Sequence, residues 1–296
     1  MAACLVVGWA RAVEPADEEM VRFVAYNLHN YSLHPTADRK ASPAKAEREI
    51  IALVKVLTEL RPDVLGVCEM GGEEDLQDFQ RRLQTAGLPL EHREWVQGPD
   101  PTRHLALLSK FPIVARQSQT DLSFVLDQSP VFMQRGLLDV TLQVREGYQL
   151  RLVGLHLKSR VEVEDADQLL MRREEAHLVR LHVDEILTAQ PQTNLLVYGD
   201  FNETKNQPGL REIKGPAGLP TALRDLALAD LAGEKWTYHY EPADEYSRID
   251  FVFASPGLLP ELRLKRSGIY PGGDWKEASD HRPLFLSLIP IEQASR

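Results

Sequence analysis

Asn194-Leu195-Leu196-Val197-Tyr198-Gly199-Asp200-Phe201-Asn202-Glu203 is four apolar residues running into a glycine, followed by a carboxylate and an amide two positions apart. An apolar run of this length, bounded by polar residues and glycine, reads as a strand buried on both faces. Side chains of extended backbone alternate with period two, so Asp200 and Asn202 point the same way off the strand's end. Gly199 permits a sharp bend or a close backbone approach just before the carboxylate. Taken alone, the segment is equally an ordinary strand followed by an Asp/Asn turn. Five further strand ends with complementary chemistry decide between the two.

Outward from this strand, polar residues recur at the ends of apolar runs. Val21-Arg22-Phe23-Val24-Ala25-Tyr26 ends on Asn27, and Val64-Leu65-Gly66-Val67-Cys68 on Glu69. Leu150 to His156 ends on His156, Asp250 lies within Arg248 to Ala254, and Asp280-His281 precedes the strand Leu284 to Ile289. A carboxylate attached to a buried strand is costly unless paired or metal-bound. For Glu69 the plain alternative is an arginine salt bridge, and for Asp250 an ion pair with Arg248; the other reading of Asp250 is a carboxylate that orients a histidine. Asp280-His281 by itself reads as a solvated turn, held in place by Pro283. The remaining histidines, such as His92, His177, His182 and His239, read as surface or core fillers.

Between the strands, Ser42-Pro43 supplies a cap and a first-turn proline for a helix with Ile50, Leu53, Val54, Leu57 and Leu60 on one stripe. Leu76, Phe79 and Leu83 mark a second helix closed by Gly87. Gly136 to Val144 and Leu150 to His156 pair across a turn at Arg145-Glu146-Gly147. A long helix spans Asp167 to Thr188, with Leu169, Ala176, Val179, Val183 and Ile186 inward, and Asn206 to Pro220 reads as a loop. Consecutive strands joined by short turns imply antiparallel pairing, which excludes a purely parallel doubly wound sheet. Two packed mixed sheets with helices outside fit the order.

The 296 residues carry a net charge of −10, are 43% hydrophobic and hold no run long enough for a membrane span. An acidic surface argues against tight sequence-independent nucleic-acid binding, which rests on phosphate neutralisation by Lys and Arg. Two cysteines, Cys4 and Cys68, exclude a disulfide framework. Residues 1–19 read either as a flexible N-terminus or as the remnant of an export signal lacking a basic region, so the compartment stays open: periplasmic or secreted in the second case, cytoplasmic in the first. One domain over 20–290 and a tail over 291–296 is the economical division.

Oxygen-rich donors, Glu and Asp with Asn support, suit Mg²⁺ or Mn²⁺ rather than zinc. There is no zinc-spaced Cys/His cluster, no HExxH, no GxSxG and no GxxxxGKS. Carboxylates, an amide and two histidines around a hard cation point to hydrolysis of a phosphate ester.

Seven segments in order (Tyr26-Asn27, Pro62 to Glu69, Leu108 to Ile113, His156 to Ser159, Gly199 to Asn202, Arg248-Ile249-Asp250 and Ser279-Asp280-His281) resemble those of the endonuclease/exonuclease/phosphatase (DNase I-like) superfamily over Val21 to Ile289. The resemblance implies a four-layer α/β/β/α sandwich of two mixed, largely antiparallel sheets, with the site at one edge. It implies Glu69 as principal metal ligand with Asn27 and Asp280 beside it, and His281 with Asp250 as acid/base dyad. Asp200 then orients or deprotonates the attacking water, Asn202 binds the scissile phosphate and His156 stabilises its charge. Whether His281 or Asp200 takes the water's proton is left open at this level. Asn27-Leu28-His29-Asn30 lacks the pattern of the abasic-site endonucleases, the inositol phosphatase block is absent, and Cys68 stands where a Gln usually precedes the metal glutamate. The chain therefore looks like a bacterial branch outside these groups. The expectation is a monomeric nuclease-like phosphodiesterase that holds nucleic acid transiently. The alternatives are a phosphatase or sphingomyelinase-like hydrolase of a phospholipid or small metabolite, and, more remotely, a catalytically silent binding module.

Overall fold

Apolar runs of sequence become strands, and amphipathic stretches become helices, throughout the computed structural model, which describes residues 20–35, 43–126, 128–160 and 167–291. The chain begins with β1 (Val21–Tyr31), α1 (Glu47–Leu60), β2 (Val64–Met70), α2 (Glu73–Thr85), β3 (His92–Val96) and β4 (His104–Ser109). It continues through β5 (Ile113–Arg116), a hairpin of β6 (Ser123–Leu126) and β7 (Ser129–Phe132), β8 (Leu138–Arg145), β9 (Tyr148–His156), α3 (Gln168–Ala189) and β10 (Leu195–Asp200). Next come α4 (Pro208–Lys214), β11 (Arg224–Asp225), a second hairpin of β12 (Tyr238–Tyr240) and β13 (Glu245–Ser247), and β14 (Asp250–Ala254). β15 (Gly268–Ile269), α5 (Trp275–Ala278) and β16 (Leu284–Leu288) close the described chain.

Two six-stranded sheets form, in the orders β15-β16-β1-β2-β4-β3 and β11-β14-β10-β9-β8-β5. Each has one parallel pair at its middle, β1 with β2 and β9 with β10, flanked by antiparallel neighbours. This arrangement positions the site. The ends of β1, β2, β9 and β10, together with the starts of the antiparallel β14 and β16, fall on one edge.

Alternation sorts the side chains into layers. Phe23 and Ala25 of β1 meet Leu196 and Tyr198 of β10 in the core between the sheets. Val24, Tyr26 and Leu28 instead face α1, α2 and α5, while Leu195 and Val197 face α3 and α4. The result is the four-layer α/β/β/α sandwich. Tyr198 fits between the sheets because Gly66 and Gly154 leave room for it: a Cβ at Gly66 would lie 2.2 Å from its ring.

Several elements differ from expectation. Ser42 and residues 1–19 lie outside the described residues. Helix α1 starts at Glu47, beyond Pro43, because Glu49 reaches back to accept the Ala46 N–H at 2.8 Å. Leu169 is 45% exposed on the first turn of α3, while the buried face of that helix includes Arg172, Glu175, Arg180 and His182. The stretch 206–220 contains α4, started by Pro208 in its first turn. Among the described residues, no helix is long and apolar enough to cross a membrane.

Candidate active site

All eight residues singled out from the sequence meet at the shared edge. Asn27 is the last residue of β1 paired in unbroken register with β2, opposite Cys68, before a shift that resumes at Tyr31 and Met70. Glu69 follows in a left-handed conformation, φ 60°, which turns its carboxylate toward the rim. Asp200 lies in register with His156 on one side and Asp250 on the other. Gly199 is required there: its φ is 141° and a Cβ would sit 1.9 Å from the Leu155 carbonyl oxygen. Asn202, at φ 49°, is the second strained residue of the rim.

One amide ties the two sheets together. Asn27 Nδ2 donates to Glu69 Oε1 at 3.2 Å and to Asp200 Oδ2 at 3.1 Å. The Asn202 N–H caps Asp200 Oδ1 at 2.8 Å, and the Asn202 side chain is committed to the Leu157 carbonyl at 3.0 Å. His281 Nδ1 bonds Asp250 Oδ2 at 2.8 Å, and its Nε2 faces Asp200 Oδ2 at 3.8 Å and Asp280 Oδ1 at 3.9 Å. His156 Nε2 lies 3.6 Å from Asp200 and 3.9 Å from Glu69. The turn before His281 is pinned by Ser279, whose Oγ donates to the Asn27 carbonyl and accepts the His281 N–H. Thr237 Oγ1 accepts the N–H groups of Ile249 and Asp250, fixing the start of β14.

The bland alternatives do not hold. Arg248 pairs with Asp225 at 2.6 Å, not with Asp250. Among the described residues, no arginine or lysine comes within ion-pair distance of Glu69, Asp200, Asp250 or Asp280; their partners are histidines.

That charge distribution splits the ionisations. Burial and the neighbouring Asp250 push Asp200 up to about 7, against the pull of His281 and the Asn202 N–H. Burial opposes charge on His281 too, but Asp250, Asp280 and Asp200 outweigh it and hold the imidazole protonated well above its ordinary range. His156 goes the other way: burial, then Arg135, His281 and Arg103, keep it neutral. A neutral imidazole can offer a hydrogen bond but carries no positive charge.

Sequence reasoning missed Tyr238. Its ring lies 4.8 Å from that of His281, and β12 bridges to His281 directly. The aromatic run Trp236-Thr237-Tyr238-His239-Tyr240, shortly before Asp250, was the available signal. It also missed His29 and Asn30, whose backbone N–H groups hold Asn27 Oδ1 at 3.0 Å and Glu69 Oε2 at 3.1 Å.

Two groups of donors can take a cation. Asp200, Asp250 and His281 offer ligand atoms within 4.8 Å of one another. Glu69, Asn27 and Asp280 form a set whose ligand atoms could be oxygens alone, although Asn27 turns its Nδ2 to Glu69 and Asp200 and its Oδ1 to the His29 N–H. In the first group, His281 Nδ1 is engaged by Asp250, which leaves Nε2 as its ligand atom; a hard cation favours the oxygen set over one that includes an imidazole nitrogen.

A profile of the Endonuclease/Exonuclease/phosphatase family matches residues 24–281. No curated protein matches the sequence. Among solved structures, the catalytic domain of human Nocturnin with a bound sulfate anion is similar at TM-score 0.66 and 16% identity, over 92% of this chain and 95% of that one. Truncated TDP2 from Caenorhabditis elegans gives 0.62 and 17%, over 91% and 97%. Sphingomyelinase C from Streptomyces griseocarneus gives 0.58 and 14%, over 91% and 99%. At these identities the likeness speaks for the fold.

Proposed function

The chain belongs to the Endonuclease/Exonuclease/phosphatase family, and on that premise we propose that it is a divalent-metal-dependent phosphoesterase, a nuclease-like phosphodiesterase in its leading reading. The observation that carries this is the buried Asp250–His281 hydrogen bond of 2.8 Å, with the far nitrogen of His281 facing Asp200 at 3.8 Å.

Glu69, with Asn27 and Asp280 beside it, would hold Mg²⁺ or Mn²⁺. The fit rests on hard oxygen donors and on carboxylates that no lysine or arginine neutralises among the described residues. Once bound there, such an ion supplies neutralisation of the scissile phosphate's charge. The chain's own residues do the rest. Asp200, its pKa near neutrality, accepts the proton of the attacking water through Oδ2. His281, kept cationic by Asp250, stabilises the charge that builds on the phosphoryl group. Neutral His156 donates a hydrogen bond to it, and Asn202, held by Leu157, fixes its position.

A second reading, a phospholipase C-type or phosphatase activity on a small phosphorylated ester, is favoured by the net charge of −10 and by the acidic Glu241, Asp244 and Glu245 on the hairpin beside the dyad. Both disfavour a long polyanion. Hydrolysis of plasmid DNA, sphingomyelin and a generic phosphodiester, each with and without EDTA, tests both readings. EDTA-sensitive cleavage of DNA is the expected result. Turnover of lipid alone removes the nuclease reading, and turnover untouched by EDTA removes the metal.

A further inference from the structure

Lys45 is a buried lysine, 8% exposed, that the chemistry above does not use. Its backbone N–H is held by the Ser32 carbonyl at 2.8 Å, and its Nζ donates to the carbonyl oxygen of His29 at 3.2 Å. The peptide unit that receives it is the one joining His29 to Asn30. The other end of that unit, the Asn30 N–H, donates to Glu69 Oε2 at 3.1 Å, and the His29 N–H donates to Asn27 Oδ1 at 3.0 Å. One short turn therefore aims both an amide and a carboxylate of the oxygen set.

The turn is strained. His29 and Asn30 are consecutive non-glycine residues at φ 50° and 58°, a left-handed conformation that persists only where the surroundings impose it. The acceptors on Asn27 and Glu69 hold its N–H groups. Lys45 is what holds its carbonyl.

We propose that Lys45 is a positioning residue: by gripping the His29 carbonyl it locks this turn and so presets Asn27 and Glu69 for a divalent cation. The inference rests on the metal-dependent reading above. A different role for the same ammonium is to compete with the cation, since Glu49, Asp280 and Glu69 all lie within its electrostatic reach. The two roles have opposite signs. Among the described residues Lys45 forms no ion pair with any carboxylate and its bond goes to a peptide oxygen, which favours positioning. Groups that orient metal ligands from behind typically change affinity by about 10–100-fold when lost.

The experiment is Mn²⁺ binding to the full chain by electron paramagnetic resonance, with thermal melts to confirm folding, for the wild type and for Lys45→Met, Lys45→Gln and Lys45→Arg. Lys45→Met is expected to weaken Mn²⁺ binding by about tenfold or more. Lys45→Gln and Lys45→Arg, which keep a donor for the His29 oxygen, are expected to recover most of the loss. A folded Lys45→Met protein that binds Mn²⁺ as tightly as the wild type, or more tightly, overturns the proposal. If Lys45→Met does not fold, Lys45→Gln decides: affinity near wild type supports the lock, and tighter binding overturns it. A wild type that binds no Mn²⁺ sinks the metal reading itself, and this inference with it.

Discussion

Asp200→Asn keeps a side chain of the same size beside Asn27 and Asn202 but cannot take a proton, so kcat is expected to fall by at least ~10²-fold. Steady-state kinetics on the substrate found in the hydrolysis screen checks this, and wild-type turnover would remove the role given to Asp200. The same carboxyl sets a pH dependence. Pushed up to about 7, it is fully ionised only above neutrality, so kcat/KM is expected to rise through pH 7. The dyad makes a separate prediction: an NMR titration should place His281 above its ~6.5 reference, and Asp250→Asn should bring it down. A depressed value in the wild type contradicts the pairing. Asn27, Glu69, Asp200 and His281 were legible in the sequence because each follows or precedes an apolar strand, where an unpartnered polar group is out of place. Lys45 was not, because its contact with the rim joins residues distant in the chain and leaves no local pattern; for Tyr238 the aromatic run around it was a signal, but nothing local ties it to His281.

At the scale of elements, Gly199 joins backbone geometry to the site. A methyl group there has nowhere to go, with the Leu155 carbonyl 1.9 Å from its place. Gly199→Ala is expected to cost at least ~2 kcal/mol of stability by urea denaturation, since neither β9 nor β10 can move without breaking their register. A loss below ~0.5 kcal/mol, the range of an ordinary surface change, would show that the strands adapt. Elements with a clear apolar pattern were readable from it, α2 by its helical spacing and β10 by its continuous apolar run. Short ones were not. Helix α4 has only seven residues and sits among glycines and prolines, so its composition looks like loop although Glu203 caps it by accepting the Leu210 N–H. The hairpins β6–β7 and β12–β13 are too short and too exposed to leave a two-residue period.

Across the whole molecule, a second buried ionic cluster lies away from the rim. Asp139 receives Arg151 at 2.8 and 2.5 Å and His182 at 2.7 Å. Burial works against its charge, but His182 and Arg151 outweigh burial and hold the carboxyl below its ordinary range. The folded pKa is thus lower than the unfolded ~3.9, so this stabilisation is complete above that value and is lost as pH falls through the folded pKa. Asp139→Asn is expected to cost about 3 kcal/mol at neutral pH by denaturant unfolding, with the gap to wild type closing below about pH 4. A gap that does not change with pH contradicts the assignment. The layered architecture could be anticipated from the mixture of consecutive strands and intervening helices. The strand order could not, since nothing local says that β16 returns to lie between β15 and β1. That return has a consequence for biosynthesis. Strand β1 gains its partner on one side early, in β2, but its other side stays open until β16 has been translated. Six of the eight rim residues are therefore made long before the scaffold that holds them can close, and a premature stop anywhere ahead of Leu284 yields a nascent chain with an unpaired central strand, a substrate for proteases rather than a weakened enzyme.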